Sequence, residues 1–159
     1  MKTVEQFLTD PDAVAVGVLE ADPSDASRLR YSLPEAGYVV REVRGAKART
    51  VAALFDEFAA AWQFPYYFGA NMDAFDEVMR DLDEFVGVAP GYVVLVRDAE
   101  QLLADEPAKR DWFAEVMAFY RDEWANRKRP AVFRVILQTA DASDAPIAAR
   151  RVVLPPSHD

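Results

Sequence analysis

Four short runs rich in β-forming residues constrain this chain more than any other feature: "AVAVGVL" (13–19), "YVVREV" (38–43), "YVVLV" (92–96) and "AVFRVIL" (131–137). Segments with helical periodicity separate them, which is the rhythm of an α/β protein. The runs that lack regular polar alternation suit strands covered on both faces. A sheet of about four main strands, largely parallel, is the economical arrangement, because intervening helices serve as crossovers. At 159 residues the chain suits one domain whose core needs neither disulfides nor a structural metal.

Between the first two runs, "SDASRLRYSL" (24–33) offers Ser24 as a helix cap and places Leu29 and Leu33 on one face, before Pro34 and Gly37 end it. Thr50 can cap "VAALFDEFAAAW" (51–62), in which Val51, Leu54, Phe55, Phe58 and Trp62 recur at helical spacing and face the sheet as core. Pro65 stops that helix and starts the loop "PYYFG". Another helix begins near Asn71, with Met72, Phe75, Met79 and Leu82 on its inner side and Val78 beside them. The longest helix is expected over Pro107–Arg127, with Phe113, Val116, Met117, Tyr120 and Trp124 as its buried stripe. After Gln138 come a further strand candidate, "RRVVLP" (150–155), and a polar, proline-rich tail.

The residue inventory narrows the chemistry. There is no cysteine, which removes disulfides, thiolate catalysis and cysteine zinc sites. The only histidine is His158, one residue from the end, so no histidine base or triad is expected. The six glycines are scattered and form no phosphate cradle, and no loop has the acidic spacing of an EF-hand. The expectation is a protein that is not an enzyme, with no catalytic residues, no metal and no cofactor. With 27 acidic against 18 basic residues, the net charge of −9 repels phosphates and anionic membranes, which disfavours direct binding to either. Near the N-terminus, Glu5, Asp10 and Asp12 precede the apolar run Ala13 to Leu19, which is too short to span a bilayer. Neither a signal peptide nor a transmembrane helix is read, and the cytoplasm is the default location.

One stretch concentrates function: "FPYYFGANMDAFDEV" (64–78). If Met72, Phe75 and Met79 face inward, then Asp73, Asp76 and Glu77 cluster outward, because residues three and four apart are helix-surface neighbours. Spacing alone fits an ordinary solvated face, a surface for a basic partner, or carboxylates working as acid and base or as metal ligands. The aromatics of the preceding loop favour an interface. No nucleophile, base and oxyanion donors accompany the carboxylates. Gly69 permits a sharp turn, and Asn71 can cap the helix.

The motif "FPYYFGANMDAFDEVMRDL" (64–82) resembles the signature of the barstar family, inhibitors of barnase-type ribonucleases. The order of elements around it fits over roughly Tyr38 to Gln138. The resemblance implies an α/β fold, a barstar-like two-layer or three-layer sandwich with a small, mainly parallel sheet packed by helices. It implies a single domain over 1–159: a barstar-like core at 38–138, an N-terminal strand–helix extension at 1–37 and a C-terminal tail at 139–159. The implied function is stoichiometric inhibition of a basic, extracellular-type ribonuclease or nuclease toxin, with an immunity role in a toxin–antitoxin pair as one form. The acidic helix and aromatic loop would enter the nuclease cleft, placing carboxylates where RNA phosphates bind. On the matching positions, Tyr67, Asn71, Asp73 and Glu77 are implied partner contacts. Glu77 stands where the family places an aspartate, one methylene shorter. Asp76 and Leu82 occupy two positions that carry tryptophan in the type member, and Asp76 adds a carboxylate able to engage another cation. A secondary acidic contact falls at Asp105 or Glu106. The competing reading keeps the fold but makes it an interaction module for a basic protein other than a ribonuclease.

Overall fold

Strands whose successive side chains enter two apolar layers need helices on both sides. The computed structural model, which describes residues 1–156, meets that requirement; His158 lies outside the described residues. Six strands, β1 (Lys2–Thr3), β2 (Val16–Glu20), β3 (Val39–Arg44), β4 (Gly91–Arg97), β5 (Val132–Thr139) and β6 (Arg150–Val153), form one sheet in the order β1-β6-β2-β5-β4-β3. Every pairing is parallel. Helices α1 (Val4–Thr9), α2 (Pro23–Ala26) and α3 (Leu29–Glu35) pack on one face. The other is covered by α4 (Val51–Trp62), α5 (Met72–Met79), α6 (Leu82–Phe85) and α7 (Arg110–Ala125), so the architecture is a three-layer α/β/α sandwich.

The period-two alternation of a strand divides β4 between the two cores. Tyr92, Val94 and Val96 join the larger cluster with α4, α5 and α7, while Val93 and Leu95 join Phe7, Leu29 and Leu33. Parallel register places Val135 of β5 opposite both Val94 and Val16, so one apolar row crosses three strands.

The sheet is wider than the four strands expected. The run at 150–155 does form a strand, β6, and β1 is a two-residue addition with no pattern to read. The run at 13–19 yields β2, an interior strand between β5 and β6. Two arginines tie the preceding loop down. Arg134 of β5, almost fully buried, donates to the Asp10 carbonyl at 3.0 Å, and Arg121 of α7 donates to the carbonyls of Ala13 at 3.0 Å and Pro11 at 2.6 Å. Burial, with Arg121 nearby, pulls the Arg134 guanidinium down to about 10, which leaves it charged at neutral pH.

Three local expectations need correction. Asp22, not Ser24, caps the first helix of its segment, accepting the Asp25 amide at 2.9 Å; Pro23 then fills the first helical position. Pro34 sits inside the last turn of α3 and does not end it. The long helix starts at Arg110 and ends at Ala125, and Pro107–Lys109 form a separate 3-10 turn. Thr50 caps α4 as expected, accepting the Ala53 amide at 3.1 Å.

Candidate functional site: an acidic helix presented by an aromatic loop

The site is built by what stops α4 and what starts α5. At the end of α4, Gln63 adopts a left-handed conformation, φ 54°, and turns the chain out of the helix. Pro65 follows, and the Phe68 amide closes a tight turn on the Pro65 carbonyl at 3.0 Å. Phe64 and Phe68 are the feet of this loop. Their rings meet edge to face at 4.9 Å, and Phe68 also packs against Phe55 of α4 at 6.0 Å. With both feet packed against the core, the two tyrosines between them project: Tyr66 is fully exposed and Tyr67 largely so, their rings 5.7 Å apart.

Ala70 then takes a left-handed φ of 50°, and the next residue, Asn71, is the N-cap of α5. The Asn71 side-chain oxygen accepts the Ala74 amide at 2.8 Å. Such a cap satisfies an otherwise unpaired backbone donor and fixes where the helix begins. Phe75, Val78 and Met79 are buried, and Phe75 touches the rings of Phe55, Phe58 and Phe64. That anchoring sets the rotation of α5 about its axis. Asp73, in the first turn, and Glu77, one turn later, are exposed on the outward face. Their i, i+4 spacing puts their Cβ atoms ~5–6 Å apart. Asp73 also complements the positive end of the helix dipole.

Asp76 does not share that outward face. It is half-buried, and the Tyr120 hydroxyl of α7 donates to its carboxylate. Burial and the adjoining Asp76 carboxylate raise the Tyr120 phenol far above its ordinary value, so it stays protonated and available as a donor. The expectation of three outward carboxylates fails here because α7 crosses that side of α5. Met72, expected inside, is 37% exposed. Leu82 is fully buried in α6, so it contributes to the core and not to a surface.

Asp105 and Glu106 lie before α7 and have intramolecular partners. Asp105 pairs with Arg49 at 2.8 Å, and this hydrogen-bonded guanidinium holds its carboxyl below the usual range. Glu106 accepts the Val51 amide at 2.8 Å, adding a second acceptor at the N-terminus of α4. Tyr66, read in the sequence only as one of the loop aromatics and not as a contact, is the most exposed aromatic of the loop; its place between two half-buried phenylalanines was the available signal.

The resulting surface pairs two carboxylates with two tyrosines on a rigid base. Among the described residues, no three of His, Cys, Asp or Glu stand close enough to hold a metal ion, and no helix is long and apolar enough to cross a membrane. No curated protein sequence matches the chain. The family model for Barstar (barnase inhibitor) matches residues 38–138, from the residue before β3 to the last but one of β5, and therefore includes the whole loop and acidic helix. Because that match spans more than half of the chain and falls on a sheet and helices of the expected kind, the chain belongs to the barstar family and carries a ribonuclease-inhibitor-like domain.

Proposed function

We propose that the protein inhibits a basic ribonuclease by docking the 66–77 surface into its RNA-binding cleft, acting as a stoichiometric binder and not as an enzyme. The observation that carries this reading is the exposed pair Asp73 and Glu77, one helical turn apart beside exposed Tyr66 and Tyr67. A cleft that binds a polyanion is lined with cations, and fixed carboxylates can pair with those cations while excluding substrate. The net charge of −9 adds a long-range field that speeds encounter with a basic partner. Tyr67, Asn71, Asp73 and Glu77 are the proposed partner contacts or their direct support, with Tyr66 added. Asp105 and Glu106 join only where the partner draws them from Arg49 and the Val51 amide.

This reading takes residues 1–159 as one domain in which the segments outside 38–138 complete the sheet. That is supported by the position of β2 between β5 and β6. It places the protein in the cytoplasm, without nucleic acid or membrane as direct partners, and an immunity role against a secreted nuclease toxin fits the same chemistry. The test is steady-state RNA cleavage by barnase with increasing amounts of the chain. Inhibition that weakens as RNA concentration rises supports active-site blockade; inhibition indifferent to RNA concentration, or none with barnase and with any basic ribonuclease recovered by pull-down, contradicts it.

A second reading, docking to a basic protein that is not a nuclease, draws on a specific observation. Both positions at which the type member carries tryptophan are withdrawn from the surface here, Asp76 onto Tyr120 and Leu82 into the core. A pull-down dominated by a non-nuclease basic protein that Asp73→Ala fails to capture favours it.

A further inference from the structure

Two side chains of α7 and one just beyond its end donate hydrogen bonds into the C-terminal half of α5 and the residue that caps it. The Tyr120 hydroxyl reaches the Asp76 carboxylate, the Trp124 indole donates to the Met79 carbonyl at 3.0 Å, and the Arg127 guanidinium donates to the Arg80 carbonyl. Tyr120 and Trp124 stand four apart on one face of α7 and Arg127 follows the end of the helix, so the C-terminal part of α7 and the residues after it grip the C-terminal half of α5. The last two bonds satisfy carbonyls that a helix end leaves open. The first is different: it engages a side chain, one residue before Glu77 and three after Asp73.

Two further contacts fill out the surroundings of Asp76. Arg80 donates its Nε to the Asp76 backbone carbonyl at 3.2 Å, while its guanidinium lies 5.9 Å from the Phe119 ring centroid. Arg80 thus bonds the Asp76 backbone and not its carboxylate, which accepts from Tyr120. The Tyr120 ring itself is held by Phe75 at 6.0 Å and Phe133 at 5.9 Å, which ties it to both the inner side of α5 and the sheet. A donor fixed in this way, bound to a charged acceptor, gives a stronger and more directional link than apolar packing.

We propose that Tyr120 is a positioning residue for the inhibitory surface: by holding Asp76 it fixes the rotation of α5, and Asp76 serves as an internal bracket instead of a partner contact. This rests on the docking function proposed above. A helix held in its bound orientation before encounter loses less freedom on binding, which lengthens the life of the complex more than it changes the rate of encounter. The steering charges Asp73 and Glu77 remain in place when the bracket is cut, so association depends little on it.

The test uses the full chain and five variants: Tyr120→Phe, Asp76→Ala, the combination of these two, Asp76→Asn and Asp73→Ala. Tyr120→Phe keeps the ring and removes only the donor. Asp76→Asn removes the charge but keeps an oxygen that accepts from Tyr120. With barnase as the probe, Tyr120→Phe and Asp76→Ala should each raise koff about five- to tenfold with kon within about twofold, and their combination should be no worse than either alone. Asp76→Asn should raise koff less than Asp76→Ala does, with kon within about twofold, whereas Asp73→Ala should lower kon and flatten its salt dependence. Asp76→Asn as damaging as Asp76→Ala, with a reduced kon, identifies a direct ionic contact and overturns the proposal.

Hydrogen exchange on the free proteins supplies a readout independent of any nuclease. Tyr120→Phe should cost protection at the amides of Phe75 to Arg80 while β4 and β5 keep theirs. Uniform loss across the protein, or no change in α5, overturns the bracket. Failure to bind barnase with α5 protection lost as expected would count against the docking function alone and uphold the positioning role.

Discussion

Asn71 and Ala74 are joined by a 2.8 Å hydrogen bond from the Ala74 amide to the Asn71 side-chain oxygen, and the outward face of α5 starts from that bond. Replacing Asn71 by alanine leaves the amide to solvent and lets the first turn fray, at a cost of about 1 kcal/mol. Asp73 lies in that turn, so the variant should also bind its target more weakly. Asn71→Asp retains a capping oxygen and should restore stability. Urea denaturation of the three proteins, paired with inhibition assays, checks both effects.

Ala70 supplies a prediction of opposite sign. Its left-handed φ of 50° costs an L-residue roughly 1–2 kcal/mol, whereas glycine adopts it freely. Glycine also loses about 0.4–1 kcal/mol more chain entropy on folding, so Ala70→Gly should stabilise by a net of about 0.5–1 kcal/mol. A rise in the urea midpoint with an unchanged slope is the expected signature.

Gly45 follows β3 in a 3-10 turn that packs against the end of β4. A Cβ there would stand 2.3 Å from the Asp98 carbonyl oxygen and 2.8 Å from that of Arg97, both backbone atoms that cannot swing aside. Gly45→Ala should destabilise by about 1–3 kcal/mol, the usual penalty for overpacking. The nearby 98–106 segment, which carries Asp105 and Glu106, should lose hydrogen-exchange protection first.

Acid should loosen the β3–α4 contact. Glu57 accepts from Arg44 at 2.5 Å and from the Arg44 amide at 3.1 Å, and these bonds hold its carboxyl below the ordinary range. The folded value lies below the unfolded one. The contribution is therefore fully present above the ordinary glutamate value of ~4.3 and is lost as pH falls through the lower folded value. Denaturation midpoints at roughly pH 6 and pH 3 should differ more for the parent than for Glu57→Gln.

The fold was legible where residues repeat a period. Tyr92 to Val96 announce a strand covered on both sides, and Phe113, Met117, Tyr120 and Trp124 announce the face of α7 that meets the sheet. What escaped was set by tertiary contact. The strand candidate at 150–155 does form β6, but its place in the sheet beside β2, with Arg150 and Arg151 still exposed, could not be read from the residues. Asp22 and Ser24 are both good caps by composition, and the structure selects Asp22 because Pro23 is suited to the first helical position. At the candidate site, helical spacing was enough to place Asp73 and Glu77 on the outward face. It could not place Asp76, since its partner Tyr120 is 44 residues away and was already accounted for as a core aromatic.

If the Asp73–Glu77 face makes this protein a ribonuclease inhibitor, titration of barnase with the parent and with Asp73→Ala/Glu77→Ala must separate the two. The parent should abolish RNA cleavage at a one-to-one ratio, and the double variant should need at least about 100-fold more protein, the consequence of leaving two nuclease cations unpaired. A double variant that remains folded and inhibits as well as the parent would contradict the assignment of this face.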